Sequence, residues 1–159
     1  MAIWQTHYNA IPRSVYEYSK SNQVNLYKYE WSDIFYLNKD FFFNKLDNFI
    51  ERSWSMNQFQ SWGPSDKCDI GVTYNSDTNK IVHIMFRLDL RENINDFLIP
   101  FLTVCKESDF LILDQNENIF EPQIDNFKES IESSNALKFV TNPRRFIEDF
   151  SNGKIKPED

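Results

Sequence analysis

Between Lys80 and Arg91 the chain alternates strictly. Val82, Ile84, Phe86, Leu88 and Leu90 fall on one side, and Ile81, His83, Met85, Arg87, Asp89 and Arg91 on the other. Side chains of a strand repeat every second residue, so this stretch reads as a strand with one wholly apolar face. Ile70, Val72 and Tyr74 carry that face in the preceding arm, and Asn75-Ser76-Asp77-Thr78-Asn79 is built of turn formers. Asp69 to Arg91 is therefore expected to be a β-hairpin. Its apolar face must be covered, and helical segments lie on both sides of it.

Asn38 to Trp54 carries the helical spacing, with Phe42, Leu46, Phe49, Ile50 and Trp54 in one stripe, Asn38 as cap and Asp40 in the first turn. Residues 55–67, with Trp62-Gly63-Pro64-Ser65-Asp66, read as a loop. Beyond the hairpin, Asn93 to Lys106 repeats Ile94, Phe97, Leu98, Phe101, Leu102 and Cys105 along one helix face. Pro100 should kink that helix or mark its start, since an interior proline costs about 3 kcal/mol. Asp109 to Asp114 (DFLILD) is apolar on both faces, as a central strand would be, and Gln115 to Asn118 turns the chain so that Asn118-Ile119-Phe120 pairs back. Pro122 suits the start of a helix over Gln123 to Ser133, with Ile124, Phe127 and Ile131 inward. A short segment, Ala136 to Val140, comes next. Asn142-Pro143 then opens a last helix with Phe146, Ile147 and Phe150 as its apolar side, and Gly153 ends it.

Residues 1–37 are aromatic and weakly patterned. Ser14 to Lys20 suits a helical turn and Val24 to Trp31 a strand, so that the segment wraps the domain or supplies an edge strand. With Val24 to Trp31 as first strand, the order becomes the βαββαβ of a ferredoxin-like split unit. The expected fold class is α+β: an antiparallel sheet built on a central hairpin, helices packed on one face, and extra C-terminal helices. One domain over residues 1–153 and a mobile tail over 154–159 are expected.

Fifteen Phe make large rings the main core material, and three Gly leave no glycine-rich phosphate loop. The net charge of −7 repels nucleic acid and anionic membrane and favours a basic partner, although a charge of that size also simply keeps a protein dissolved. MAIWQTHYNAIPRS has no basic start leading into an apolar run, and no apolar stretch approaches a membrane span, so a cytoplasmic location is expected.

Chemistry for bond making is sparse. His7, His83, Cys68 and Cys105 are scattered, which gives neither a zinc ligand set nor a thiol beside a base, and no cofactor is expected. Cys105 lies on the apolar stripe of its helix, as a small core residue would. One constellation remains: His83, Arg87, Asp89 and Arg91 share the second face of the hairpin strand, where Arg87, Asp89 and Arg91 would form an ion-pair ladder. A small enzyme or a ligand-binding regulatory domain would use that face. Salt bridges on a half-solvated sheet are the plainer reading. A second feature is acidic. Glu107, Asp109, Asp114, Glu117, Glu121, Asp125, Glu129 and Glu132 face a single base, Lys128, and Asp125, Glu129 and Glu132 line one helix face. Such a row is either a solvated surface or a docking patch for a basic protein, with Glu117 and Glu121 beside it.

SDFLILD (Ser108 to Asp114), then Ile119, Glu121 and Pro122, SNALKFVTNP (Ser134 to Pro143) with Phe146-Ile147, and RLDLR (Arg87 to Arg91) together resemble small acidic bacterial proteins encoded beside polymorphic or contact-dependent toxins. The resemblance covers residues 69–150. It implies a non-enzymatic immunity protein that binds one cognate toxin, with no catalytic residues to carry over. A stable homodimer formed through exposed aromatics is a third reading.

Overall fold

The hairpin forms as its alternation demands, and a polar strand that the pattern hid becomes its neighbour. The computed structural model describes residues 2–23, 26, 31 and 34–156. In chain order the elements are β1 (Gln5–Pro12), α1 (Arg13–Asn22), α2 (Lys39–Asp47), β2 (Arg52–Met56), β3 (Phe59–Trp62), β4 (Asp69–Asn75) and β5 (Lys80–Asp89). They continue with α3 (Asn95–Glu107), β6 (Phe110–Asp114), β7 (Ile119–Phe120), α4 (Ile124–Ser133), α5 (Asn135–Thr141) and α6 (Pro143–Ser151). The strands make one antiparallel sheet in the order β2-β3-β4-β5-β1-β6-β7. The fold is α+β. Its inner run β4-β5-β1-β6 has the strand order of a βαββαβ unit, with the β2–β3 hairpin added at one edge and β7 at the other.

Among the described residues the first strand of that unit is β1; the strand expected over Val24 to Trp31 falls mostly outside them. Val24, Asn25 and residues 27–30 lie outside the described residues, and Trp31 is in a helical turn. The end of the expected tail, residues 157–159, lies outside them too. β1 pairs with β5 through Gln5 to Asn9 and with β6 through Tyr8 to Pro12. Its sequence, QTHYNAIP, has no aliphatic alternation, yet Gln5, Thr6, Tyr8, Ala10 and Ile11 are all buried. Where β1 leaves β5, Leu37 takes over: its carbonyl accepts the Ile81 N–H at 3.1 Å, and Lys39 N–H bonds Asn79 O at 3.0 Å.

Helices α2, α3 and α4 send rings onto the same face of the sheet. Tyr8 stacks on Phe86 and meets Phe127 of α4 edge-on, Phe86 meets Phe101 of α3, and Phe42 of α2 packs on Phe110. Three departures from the sequence reading are seen, and at Pro100 one of its two alternatives, the helix start, drops out. The stripe of α2 ends at Asp47, and the chain turns through Asn48 into β2, so Trp54 is half exposed instead of core. Of the expected loop 55–67, residues 55–62 belong to the β2–β3 hairpin, turned by Asn57 at φ 43°, and residues 63–67 lie outside the strands as expected. Pro100 sits inside α3 without ending it. In β5 a register shift opposite Thr73 and Tyr74 makes Val82 the extra residue of a bulge, which turns Ile81 inward to the core with Ile84.

On the opposite face, Phe59 of β3 lies over Gly71 of β4. A Cβ at Gly71 would stand 2.8 Å from Phe59 Cζ and 3.2 Å from Met85 Cγ. Gly71→Ala is therefore expected to displace the ring and destabilise the fold by about 1–3 kcal/mol. Urea unfolding measures it, and adding Phe59→Ala should recover part of the loss. Additive losses would place the Phe59 ring elsewhere.

Candidate functional site: an acidic groove between α4 and the last β-turn

Asp114 closes β6, and its carboxylate organises the turn into β7. Oδ1 accepts the N–H of Asn116 and of Asn118, both at 2.9 Å, while Oδ2 accepts Asn118 Nδ2 at 3.1 Å and Ser130 Oγ at 2.9 Å. A short Asx side chain bonding backbone N–H groups ahead of it fixes a turn. Here the same carboxylate also bolts the turn to α4. Ser130 Oγ lies 3.4 Å from Tyr8 Oη, so the bolt reaches the central strand. Asp114 is 1% exposed, and its satisfied oxygens are what make a buried carboxylate tolerable.

With Ile124, Phe127 and Ile131 of α4 packed on the core, Asp125 and Glu129 project outward. Between them and the turn runs a groove of about 520 Å³ lined by Asp114, Asn116, Asn118, Ile119, Phe120, Asp125, Asn126, Glu129, Ser130 and Ser133. Among the described residues lining it there is no cation. Glu117 sits in the same turn at φ 64°, exposed.

The five acids expected to bind a partner are thus divided. Asp125 and Glu129 share the groove. Glu121 is held by Arg13, whose Nη1 and Nη2 bond its two oxygens at 2.9 and 2.8 Å, while Arg13 Nε bonds Asp109 at 2.9 Å. The acidity therefore has an internal counter-charge that sequence alone did not reveal, because Arg13 is far away along the chain. Those bonds hold the Glu121 carboxyl below its ordinary range. Lys128 Nζ, 2.6 Å from Asp125 Oδ1, does the same for Asp125. Glu132 faces a second concavity of about 530 Å³, where it meets Lys138, Arg145, Asp149 and Lys154 over Leu137, Phe146 and Ile155. The asparagines and serines of the groove escaped the sequence reading. Their one signal was Asp114 with Asn116 and Asn118 close behind it.

The alternative site on the sheet face does not converge. Arg87 pairs with Asp69, its cross-strand neighbour, with Nε 2.8 Å from Oδ1, and those bonds raise the guanidinium pKa. Asp89 is bound instead by Arg91, which also donates to Asp66 O at 2.9 Å and stacks 4.0 Å from the centre of the Trp4 ring. The ladder through all three residues is therefore broken, since opposed residues on neighbouring strands lie closer than i and i+2. His83 stands apart from both pairs, its ring 5.8 Å from that of Trp31. Burial pushes the thiols of Cys68 and Cys105 up, away from the nucleophilic thiolate. Among the described residues no group of three or more His, Cys, Asp or Glu is placed to hold a metal ion. Among those same residues no helix is long and apolar enough to cross a membrane.

Two consequences can be measured. Asp114→Ala removes the acceptor of buried Ser130 and of the turn's amides and should cost about 2–3 kcal/mol in urea unfolding, with faster amide exchange at Asn116 and Asn118. Native-like protection there would show that the carboxylate does not hold the turn. Burial also lowers the His83 pKa below the ordinary 6.5. The unfolded chain then takes up this proton before the folded one does. The stability linked to it is complete above pH 6.5 and declines as pH falls below that value. His83→Gln should flatten the stability curve between about pH 5 and 6.5, and an unchanged slope would place the titration elsewhere. Compared with known proteins, the chain matches no family model, no curated protein and no solved structure.

Proposed function

We propose that this chain is a non-enzymatic protein-binding module of the immunity type, which neutralises a cognate bacterial toxin by seating a basic surface in the groove between α4 and the β6–β7 turn. The observation that carries this reading is the groove's lining, which is all oxygen-bearing polar groups, carboxylates and two apolar side chains, with no cation among its described residues. Glu129 supplies charge, Asp125 adds to it once a partner's cation takes the place of the exposed Lys128, Asn116, Asn118 and Asn126 supply neutral donors and acceptors, and Ile119 and Phe120 supply a small apolar floor. A partner bearing Lys or Arg on an exposed surface would find unlike charge at the rim and hydrogen-bonding groups beneath it. Complementary fields of this kind accelerate encounter and reject like-charged competitors.

The groove is also pre-organised. Its turn is tied to α4 through Asp114 and Ser130, so little ordering is left to accompany binding. Glu121 belongs to this picture as a strut, since its bidentate bond to Arg13 fixes the exit of β7. The resemblance of residues 69–150 to acidic immunity proteins points the same way.

Neutralising Asp125, Glu129 and Glu132 together (Asp125→Asn, Glu129→Gln, Glu132→Gln) tests the reading, with Glu132→Gln alone, at the second concavity, as the control that should leave affinity nearly unchanged. The wild-type chain, used as bait in its host's lysate, should retain a basic protein that elutes with rising salt. The triple variant should bind the purified partner at least about tenfold more weakly near physiological ionic strength, with a shallower salt dependence. Equal affinity of the two would remove the groove from the mechanism, and retention of no basic protein would remove the function.

A further inference from the structure

Helix α6 has two features that the packing of a single chain does not use. Its apolar side is Phe146, Ile147 and Phe150, but only Phe146 is buried; Ile147 is 57% and Phe150 45% exposed. Among the described helices it alone presents two such residues on its surface. Its charges also run against its own dipole. Arg144 and Arg145 open the helix and Glu148 and Asp149 come a turn later, with no acid in the first turn and no base in the last. Helix N-termini favour acids and C-termini bases, and an Arg placed before its Glu is the weaker order for an i, i+4 pair. The internal pairs are correspondingly loose, with Arg144 Nε 3.3 Å from Glu148 and Arg145 Nε 3.5 Å from Asp149.

We propose that the exposed face of α6 is a self-association surface, occupied by α6 of a second copy crossing it antiparallel about a two-fold axis near Ile147. Charge complementarity selects this occupant. A purely acidic or purely basic partner would meet like charge on half of the helix. A second copy in antiparallel orientation brings Arg144 over the partner's Glu148 and Glu148 over the partner's Arg144 along one flank, with Ile147 at the centre and Phe150 on the other flank. A parallel crossing sets like on like. The antiparallel arrangement also opposes the two helix dipoles favourably. A two-fold axis closes such an interface at two copies. A helix of nine residues covers well under the roughly 800 Å² per partner of a stable complex, so the dimer is weak and depends on concentration. This surface is separate from the acidic groove and does not rest on what the groove binds.

Sedimentation velocity of the full chain from micromolar to millimolar concentration at low salt tests it. The expected result is a weight-average mass rising from 19.1 kDa toward twice that value. Ile147→Lys should hold the chain monomeric. Arg144→Glu and Glu148→Arg should each weaken association at least about tenfold alone, and an equal mixture of the two should restore it, because an acidic face then meets a basic one. Arg144 and Glu148 side chains are 92% and 61% exposed, so the charge variants keep the fold, which circular dichroism checks. A monomer at every concentration overturns the proposal. So does a dimer indifferent to Ile147→Lys, or a mixture that fails to associate.

Discussion

The ring of Tyr8 is the contact through which the rest of this structure is connected. It lies face to face with Phe86, 5.2 Å away between centroids, and edge-on to Phe127 at 5.0 Å. One side chain of the central strand thus joins the hairpin, the sheet's middle and α4. Aromatic pairs in such geometries add to the stabilisation that burial alone provides. Its hydroxyl end points toward Ser130, whose own hydroxyl is held by Asp114. The apolar core and the polar groove are consequently built on the same few residues.

That arrangement explains where charges can and cannot be used. The buried carboxylates Asp69, Asp89 and Asp114 each have donors: Arg87, Arg91, and the turn amides with Ser130. Burying an ionised group without partners is prohibitive, so these acids belong to the architecture. The acids that helix geometry lifts off the core are Asp125 and Glu129 on α4, of which Asp125 is bonded by Lys128. The open face of the sheet carries little comparable freedom. Its Arg and Asp residues neutralise one another across strands, and His83 is closed in by Trp31.

The two surfaces with unspent binding capacity differ in kind. The groove offers unlike charge and hydrogen bonds on a rigid base. The face of α6 offers apolar area and an inverted charge order. Both lie in the C-terminal third, the groove between α4 and the last strands of the sheet and the second on α6. The molecule therefore separates a scaffold, made of β1 to β6 with α2 and α3, from the segments that meet solvent.

Much of the scaffold was readable from residue order. The hairpin's alternation, the stripes of α3 and α4, the apolar run Phe110 to Leu113 of β6 and the Asn142-Pro143 start of α6 each come from a local pattern or cap, and local signals survive in sequence. What failed locally was β1, a central strand in which Gln, Thr, His and Asn precede or interrupt Tyr8, Ala10 and Ile11, so that no alternation marks it and its place is set by the neighbours on both sides. The bulge at Val82 was hidden for a related reason, since register depends on the opposing strand. The groove was half legible: the acids of α4 share a helical face by spacing alone, whereas the capture of Glu121 by Arg13 and of Arg87 by Asp69 required the chain to fold. The sequence by itself determined the β4–β5 hairpin, β6 and the helices α3, α4 and α6, with the apolar side of those helices. Only the tertiary structure decided which charges remain free, because a carboxylate's partner is chosen by proximity in space, and proximity in space is what residue order does not encode directly.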